Sequence, residues 1–379
     1  MKKSRITVAA LLLLFCLFLT ACGGKTPGSP APSPAASEAP AAEAAPSAAP
    51  EEAVAQEEPA QEEPAAPEAV GESAEEPGVI AEPDASMPVH VMTLNGTTGF
   101  GLAGLIAESN AGNTAQNYSF TVETDASNVT AALVNGSCDI AALPTNAASA
   151  LYNKTEGGVQ VLALNTRGVL YVLSDGTVPV ESFADLNGQT VYVPAQNPSF
   201  IFGFLCSAND ISVSIDNTYA QPAELNAAVA AGQVHLAVLP EPMVTVACSQ
   251  NNDLQIVLDL TEEWDRVAEP GSLVQGCVVV RRDFAEKNPD AVKAFLADYE
   301  ASVKLLSEDT QAAAEKIEAA GIFNKAAVAA KAIPNCNVCF VTGEDMQREL
   351  GAFLEIMSEK APQSIGGKLP GEDFYCILK

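Results

Sequence analysis

Two loops that each follow an apolar, strand-like segment carry polar side chains that could hold a small ligand. The first loop reads P-T-N and contains Thr145 and Asn146, whereas the second reads P-E-P and contains Glu241. Hydroxyl and amide groups can donate and accept hydrogen bonds, and a carboxylate can accept them or pair with a cation. These residues therefore favour non-covalent binding, in which the two loops hold different ends of one solute and Glu241 decides its charge.

The same local pattern positions both loops. Residues 132–147 and 228–243 each contain a helix end, a glycine, an apolar segment of strand length and a proline, at a constant offset of 96. A glycine there can end a helix in the left-handed conformation. A helix that leads into a continuous apolar strand is typical of an α/β unit with a covered sheet, so two copies predict two similar lobes. Ligands of open α/β sheets bind beyond the carboxyl ends of the strands, where both loops lie.

Strand and helix patterns alternate along the rest of the chain. Strands are predicted at 89–94, 118–123, 139–143, 159–164, 190–193, 212–215, 235–239 and 254–260. A glycine-rich turn after the first strand exposes backbone N–H groups at a helix start, where polar or anionic groups bind favourably. Extended segments at 168–174 and 274–280 are predicted to cross between the lobes, which would create a hinge and a cleft. The C-terminal hundred residues are predicted to be mostly helical and to pack on the first lobe.

The N-terminus has the features of a secretory signal. Basic residues precede an apolar segment that ends in L-T-A-C at Cys22. The residues before Cys22 resemble a bacterial lipobox, after which the cysteine becomes the lipidated first residue. The alternative is a plain membrane anchor, but the apolar segment is short for a span. We predict a signal peptide at 1–21, and a protein held by lipid on the extracytoplasmic face of a bacterial cell membrane.

Residues 22–86 are predicted to form a disordered tether. From residue 23 onwards this segment is almost entirely Ala, Pro, Glu and Ser, with fourteen acidic residues and one lysine. Such a composition buries too little apolar surface to offset the entropy of ordering. The segment could span a cell-wall layer or serve as a spacer with no further purpose.

Charge and cysteine content exclude several classes of function. The net charge of −29 argues against nucleic acid as a partner. Seven cysteines remain after Cys16 and Cys22, without the regular spacing of a disulfide framework. Cys336 and Cys339 form one C-x-x-C, but no second pair or neighbouring histidine completes a zinc site, so buried or loop thiols are the favoured interpretation. Both histidines, His90 and His235, are predicted to be structural.

Five segments carry a resemblance to a known family: G-T-T-G-F-G at 96–101, D-I-A-A-L-P-T-N-A-A at 139–148, L-P-E-P-M-V-T at 239–245, L-D-L-T-E-E-W-D at 258–265 and G-C-V-V-V-R-R-D-F at 276–284. With the element order and the lipobox, the chain resembles an ABC-transporter substrate-binding protein of the type II periplasmic binding protein fold. The nitrate/sulfonate/taurine-type group, which includes receptors for thiamine pyrimidine precursors, is the most similar. The resemblance implies an α/β fold with two lobes, formed by residues 87–170 with 280–379 and by residues 171–279.

The resemblance also implies a function and a set of ligand contacts. A monomeric receptor would close on a small solute and deliver it to an ABC permease, without a cofactor, a metal or catalytic residues. By matching motifs, the candidate contacts are Thr97, Thr98, Gly99, Phe100, Thr145, Asn146, Gln196, Asn197, Ser199, Glu241 and Trp264. Glu241 and Trp264 would suit a cationic or heteroaromatic solute. The alternatives are an enzyme of the same fold that acts on an aromatic acid, and a cell-surface interaction protein.

Overall fold

Two β-sheets flanked by helices make up residues 88–377, the part of the chain that a computed structural model describes. The predicted signal peptide, Cys22 and the predicted tether lie outside the described residues. The strands are β1 Val89–Leu94, β2 Tyr118–Glu123, β3 Ile140–Pro144, β4 Val159–Thr166, β5 Leu170–Ser174, β6 Thr190–Tyr192, β7 Ser214–Asp216, β8 Leu236–Pro240, β9 Gln255–Asp259, β10 Gly276–Arg281 and β11 Val338–Val341. All the predicted strands are therefore present, with small shifts at their ends.

Helices alternate with these strands and then dominate the C-terminal part. They are α1 Thr97–Phe100, α2 Ala103–Asn110, α3 Ala126–Asn135, α4 Thr145–Lys154, α5 Asn197–Ala208, α6 Pro222–Ala230, α7 Met243–Gln250, α8 Leu260–Asp265, α9 Arg282–Lys287, α10 Pro289–Glu308, α11 Thr310–Ala319, α12 Ala326–Ala332 and α13 Gly343–Lys360. Within the described range, no helix is both long and apolar enough to cross a bilayer.

Apart from the edge strand β11 of the first sheet, the two sheets have equivalent topologies. The first sheet has the strand order β11-β4-β10-β3-β1-β2 and the second has β7-β6-β8-β5-β9. In each sheet one antiparallel strand, β10 or β5, lies beside the strand that ends in proline. Pro144 of β3 is opposite Gly276, and Pro240 of β8 is opposite Leu170. The two copies of the sequence repeat thus occupy the same place in two similar lobes, as predicted.

Each repeat forms this structure for a local reason. Gly136 follows α3 with φ 81°, and Gly232 lies just after α6 with φ 70°. A residue with a side chain is strained at these angles, so glycine ends each helix and turns the chain into the next strand. The strand residues that follow are buried on both faces, which explains why the apolar pattern of each strand is continuous rather than alternating.

Two chain crossings connect the sheets. The chain leaves β4 at Thr166 and enters β5 at Leu170, and it returns to the first sheet at Gly276, slightly before the predicted boundary at residue 279. Gln275 ties the crossings together, because its N–H donates to the Thr166 carbonyl at 2.9 Å and its Oε1 accepts from the Val169 N–H at 2.8 Å. The described residues belong to one compact unit, in which these segments form the hinge between the lobes.

The C-terminal helices pack as predicted on the first lobe and also extend beyond it. The Ser302 hydroxyl of α10 accepts from the Leu105 N–H and donates to the Gly101 carbonyl, which fixes α10 against α2. Phe353 of α13, however, lies against Trp264 of the second lobe, with ring centroids 5.9 Å apart. Helix α13 therefore supports both lobes behind the hinge.

Candidate functional site

A cavity of about 380 Å³ lies between the two sheets. Its walls come from the segments that follow β1, β2, β3, β6 and β7, together with the two crossings. These are the carboxyl ends of parallel strands, where α/β sheets bind their ligands. The polar side chains of the wall belong to Thr97, Thr98, Asn146, Thr166, Gln196, Asn197, Gln221 and Gln275. The structure thus brings together five of the eleven predicted contacts, namely Thr97, Thr98, Asn146, Gln196 and Asn197.

Two of these side chains touch across the cleft. The Nδ2 of Asn197, at the start of α5, donates to the Oδ1 of Asn146, at the start of α4, at 3.0 Å. The Oδ1 of Asn197 is buried and accepts no hydrogen bond within the described part of the chain. An amide pair from opposite lobes therefore retains unused hydrogen-bonding capacity next to the cavity.

Only the first half of the predicted glycine-rich contact loop lines the cavity. Thr97 and Thr98 are in its wall, and the Thr98 carbonyl accepts from the Asn165 Nδ2 at 3.2 Å. Gly99 and Phe100 are instead buried beneath the loop. A Cβ at position 99 would lie 2.3 Å from the Leu94 carbonyl oxygen, and Phe100 is fully buried. Their predicted ligand contacts are wrong, since they hold the loop against the core of the first lobe.

The hydroxyls of Thr145 and Ser199 also form hydrogen bonds within the protein. The Thr145 hydroxyl is fully buried and donates to the Val274 carbonyl at 2.8 Å, which anchors the first proline loop to the second crossing. The Ser199 hydroxyl donates to the Pro194 carbonyl at 2.8 Å and accepts from the Asn217 Nδ2 at 2.7 Å. Neither side chain lines the cavity, so both are corrected from ligand contacts to loop supports.

Trp264 departs most from the sequence-based expectation. It is 0% exposed and packs between Phe204 and Phe353, with centroid distances of 4.8 and 5.9 Å. Its Nε1–H donates to the Ser272 hydroxyl at 2.8 Å, in the second crossing. The indole thus belongs to the core behind the hinge, and the prediction that it stacks on a ligand is wrong.

Glu241 borders a second interlobe cavity of about 460 Å³, which shares Thr97 with the first. The side chain is nearly buried, and its carboxylate accepts from the N–H and hydroxyl of Thr245 and from the Asn335 Nδ2 at 3.4 Å. Burial raises the pKa of Glu241, although the hydrogen bonds from Thr245 and Asn335 oppose that shift. Most of its accepting capacity is used inside the protein, where it stabilises the start of α7.

Glu241 is the single ionisable side chain in the described walls of these two cavities. Arg167, one of the two cations nearest to the predicted loops in sequence, points away and pairs with Glu349 at 2.9 Å. Both histidines lie elsewhere, with the His90 ring against Ser119 and the His235 ring against Asp175. The described residues contain no cluster of side chains suited to a metal ion. The walls can therefore hold a solute by hydrogen bonds and apolar contact.

Sequence reasoning missed three polar residues of the wall. Thr166 and Gln275 belong to the crossings, and Gln221 follows β7. Thr166 and Gln221 lie just beyond strands, so the strand-end rule that selected the proline loops could have found them. Gln275 precedes a strand, and no local signal marks it.

The C-x-x-C segment lies outside both cavities. Cys336 is buried and Cys339 is partly buried, and all seven described cysteines are free thiols. Burial raises the pKa of Cys339 to about 12, so its thiol stays protonated at neutral pH.

Several solved structures share this architecture. An ABC transporter from Parabacteroides distasonis is 21% identical, with 77% of this chain and 99% of that chain covered at a TM-score of 0.66. The periplasmic aliphatic sulphonate binding protein SsuA from Escherichia coli is 15% identical, with 77% and 94% covered at 0.61. The ligand binding component of an ABC-type import system from Staphylococcus aureus is 15% identical, with 76% and 96% covered at 0.57. The chain thus has the predicted two-lobed periplasmic binding protein fold.

The sequence itself matches one family model. No curated protein sequence is detectably similar to this chain. The NMT1/THI5 like model matches residues 119–313, a range that includes β3, β8 and most of the cleft wall, together with both crossings. That range spans more than half of the chain, and we conclude that the protein belongs to the NMT1/THI5-like family.

Proposed function

We propose that this protein is an extracytoplasmic receptor that binds a small solute between its lobes and delivers it to an ABC permease. The observation that carries this proposal is the cavity of about 380 Å³ between two equivalent sheets joined by two crossings. A cavity in this size range, with neutral polar groups on apolar walls, suits a small molecule. Rotation about the two crossings would open and close it.

The similar structures support the receptor role. One is described as a periplasmic aliphatic sulphonate binding protein and another as the ligand binding component of an ABC-type import system. The similarity covers 94% and 96% of those two chains. The proposed lobes are the two predicted from the sequence, with the second lobe running from the first crossing, before Leu170, to the second crossing, before Gly276.

Five residues are the proposed ligand contacts: Thr97, Thr98, Asn146, Gln196 and Asn197. The first three come from one lobe and the last two from the other, so a bound solute would bridge the lobes. Its hydrogen bonds would then favour the closed arrangement over the open one, which is how a ligand shifts a conformational equilibrium.

The attachment to the membrane is proposed from the sequence. Lipid on Cys22 would hold the receptor at the extracytoplasmic face, and the acidic segment 22–86 would let the folded part reach its permease. We propose that the receptor acts as a monomer, since one chain supplies both walls of the cleft.

Thermal unfolding of the full chain in detergent tests the proposal. A panel of sulfonates, carboxylates, amines, sugars and uncharged amides would be added at about 100 times the dissociation constant expected for a receptor. A true ligand then stabilises the folded state by about 2.7 kcal/mol. We expect at least one solute to raise the unfolding midpoint by about 5 °C. An enzyme would instead convert its solute, and a surface interaction protein would not respond to any of them.

Variants distinguish the cleft from other surfaces. Thr98→Val and Asn146→Ala should weaken binding of that solute about tenfold, because each removes one hydrogen bond. Asn252→Ala alters an exposed turn far from the cleft and is the matched control. Loss of folding in both cleft variants, without a separable binding defect, would contradict the proposed site.

A further inference from the structure

The cleft lacks a partner for a charged solute. Among the described residues, the wall of the 380 Å³ cavity contains neither a cationic nor an anionic side chain. Burying an ionised group without a counter-charge costs several kcal/mol. Glu241, in the adjoining cavity, already accepts hydrogen bonds from Thr245 and Asn335 and would repel an anion.

Backbone donors do not replace the absent cations. Four longer helices begin at the cavity, and N-terminal N–H groups are the usual binding sites for oxyanions. However, Pro198 is the second residue of α5 and Pro222 the first of α6, and proline has no N–H. At the start of α4, the Thr145 N–H already donates to the Gln275 carbonyl. At the start of α3, the Ser127 N–H already donates to the carboxylate of Asp125 at 2.8 Å. Each of the four helix starts therefore has at least one backbone donor fewer to offer a sulfonate or carboxylate.

The amide pair across the cleft has the opposite property. Asn146 and Asn197 share one hydrogen bond, although two primary amides can exchange two. The pair keeps an acceptor, which is the buried Asn197 Oδ1, and a donor, which is the Asn146 Nδ2. Whichever way the two amides are turned, one acceptor and one donor remain. Their complement is a carbonyl beside an N–H.

We infer that the cleft selects an uncharged solute with an amide-like edge, as in a carboxamide, lactam or ureide, bound by Asn146 and Asn197 from opposite lobes. The inference rests on the proposed receptor function and specifies its solute class. On opening of the hinge, both amides become accessible; on closure, the N–H of the solute donates to Asn197 and its carbonyl accepts from Asn146. Gln196 and Gln221 offer two further amides in the same wall.

Matched pairs of solutes test this inference on the full chain in detergent. The probes are uracil with orotate, nicotinamide with nicotinate, and methanesulfonamide with methanesulfonate, measured by calorimetric titration. We expect the neutral member of at least one pair to bind about tenfold or more tightly than the anionic member. Tighter binding of an anionic member would overturn the inference. Binding of only a charged solute or only a sugar from the wider panel would overturn it as well. In either case the receptor function would stand. If no solute of any class binds, the receptor function fails and the inference fails with it.

Substitution of the donor gives a second test. Asn146→Asp replaces the Nδ2 donor with a carboxylate and should weaken binding of the neutral probe about tenfold. The same variant should gain affinity for benzamidine, whose cationic amidinium matches the new carboxylate, and a merely structural change would not produce that reversal. Asn252→Asp is the matched control, and Asn146→Ala replaces the variant if the aspartate prevents folding. Unchanged affinity for the neutral probe in both Asn146 variants would overturn the assignment.

Discussion

Replacement of Trp264 by phenylalanine tests whether this side chain supports the hinge or contacts the solute. The indole is fully buried between Phe204 and Phe353, and its N–H donates to the Ser272 hydroxyl at 2.8 Å. Phenylalanine preserves the aromatic packing and removes this donor. We expect Trp264→Phe to lower the free energy of unfolding while the affinity for a solute stays unchanged.

The size of the effect follows from two contributions. Loss of a buried hydrogen bond that leaves Ser272 without its donor costs about 1–3 kcal/mol. The smaller ring leaves a cavity of roughly 40 Å³, which adds about 1 kcal/mol at about 24 cal/mol per Å³. The sum, about 2–4 kcal/mol, corresponds to a fall in the unfolding midpoint of about 5–10 °C for a domain of this size.

Urea unfolding and calorimetric titration together check this prediction. Ser272→Ala removes the acceptor, and the double variant should lose about 1 kcal/mol less than the sum of the single losses, since both remove the same bond. As the single tryptophan of the chain, Trp264 itself reports unfolding of wild-type protein by fluorescence. Unchanged stability with lost solute affinity in Trp264→Phe would refute the assignment to the core.

Further predictions concern an acid, an ion pair and the lipid site. Because burial raises the pKa of Glu241, this group favours the folded state at low pH, and that contribution is lost as the pH rises through its folded pKa. Denaturant titrations from about pH 4 to about pH 8 should therefore show that the stability of Glu241→Gln relative to wild type increases as the pH rises. If this relative stability increased as the pH fell, the predicted direction of the pKa effect would be wrong. Arg167→Met leaves the buried Glu349 carboxylate without its main partner and should lower the free energy of unfolding by about 1–3 kcal/mol. Replacement of the exposed Arg348 by methionine should lower it by at most about 1 kcal/mol. Equal losses for the two variants in thermal unfolding would contradict this prediction. Cys22→Ala should move the protein from the membrane to the soluble fraction with solute binding intact, and detergent-dependent retention would exclude the lipid anchor.

The strands, the repeat and the crossings could be predicted because their signals are local. Continuous apolar segments identify strands that are covered on both faces, and a glycine at a fixed distance before such a segment marks the end of a helix. The repeat at an offset of 96 predicted the equivalence of β3 and β8, which the two sheet orders confirm. The rule that ligands bind beyond strand ends then located the cleft without any knowledge of side-chain orientation.

Orientation within each loop could not be predicted in this way. Thr145 and Asn146 are neighbours in the first proline loop, yet one is buried against Val274 and the other faces the cavity. Successive residues of a helix point about 100° apart, so the direction of each depends on how α4 is rotated against the second crossing, more than a hundred residues away in sequence.

The sequence by itself determined that two similar α/β lobes face each other, since each strand and each turn is specified by its own few residues. Only the tertiary structure decided which polar groups meet in the cleft. It placed Trp264 behind the hinge because Phe204, Ser272 and Phe353 surround it from three separate segments. It brought Asn146 and Asn197 together because closing the two lobes joins helix starts that are distant along the chain. Burial and pairing of this kind depend on contacts between distant segments, which no single stretch of sequence specifies.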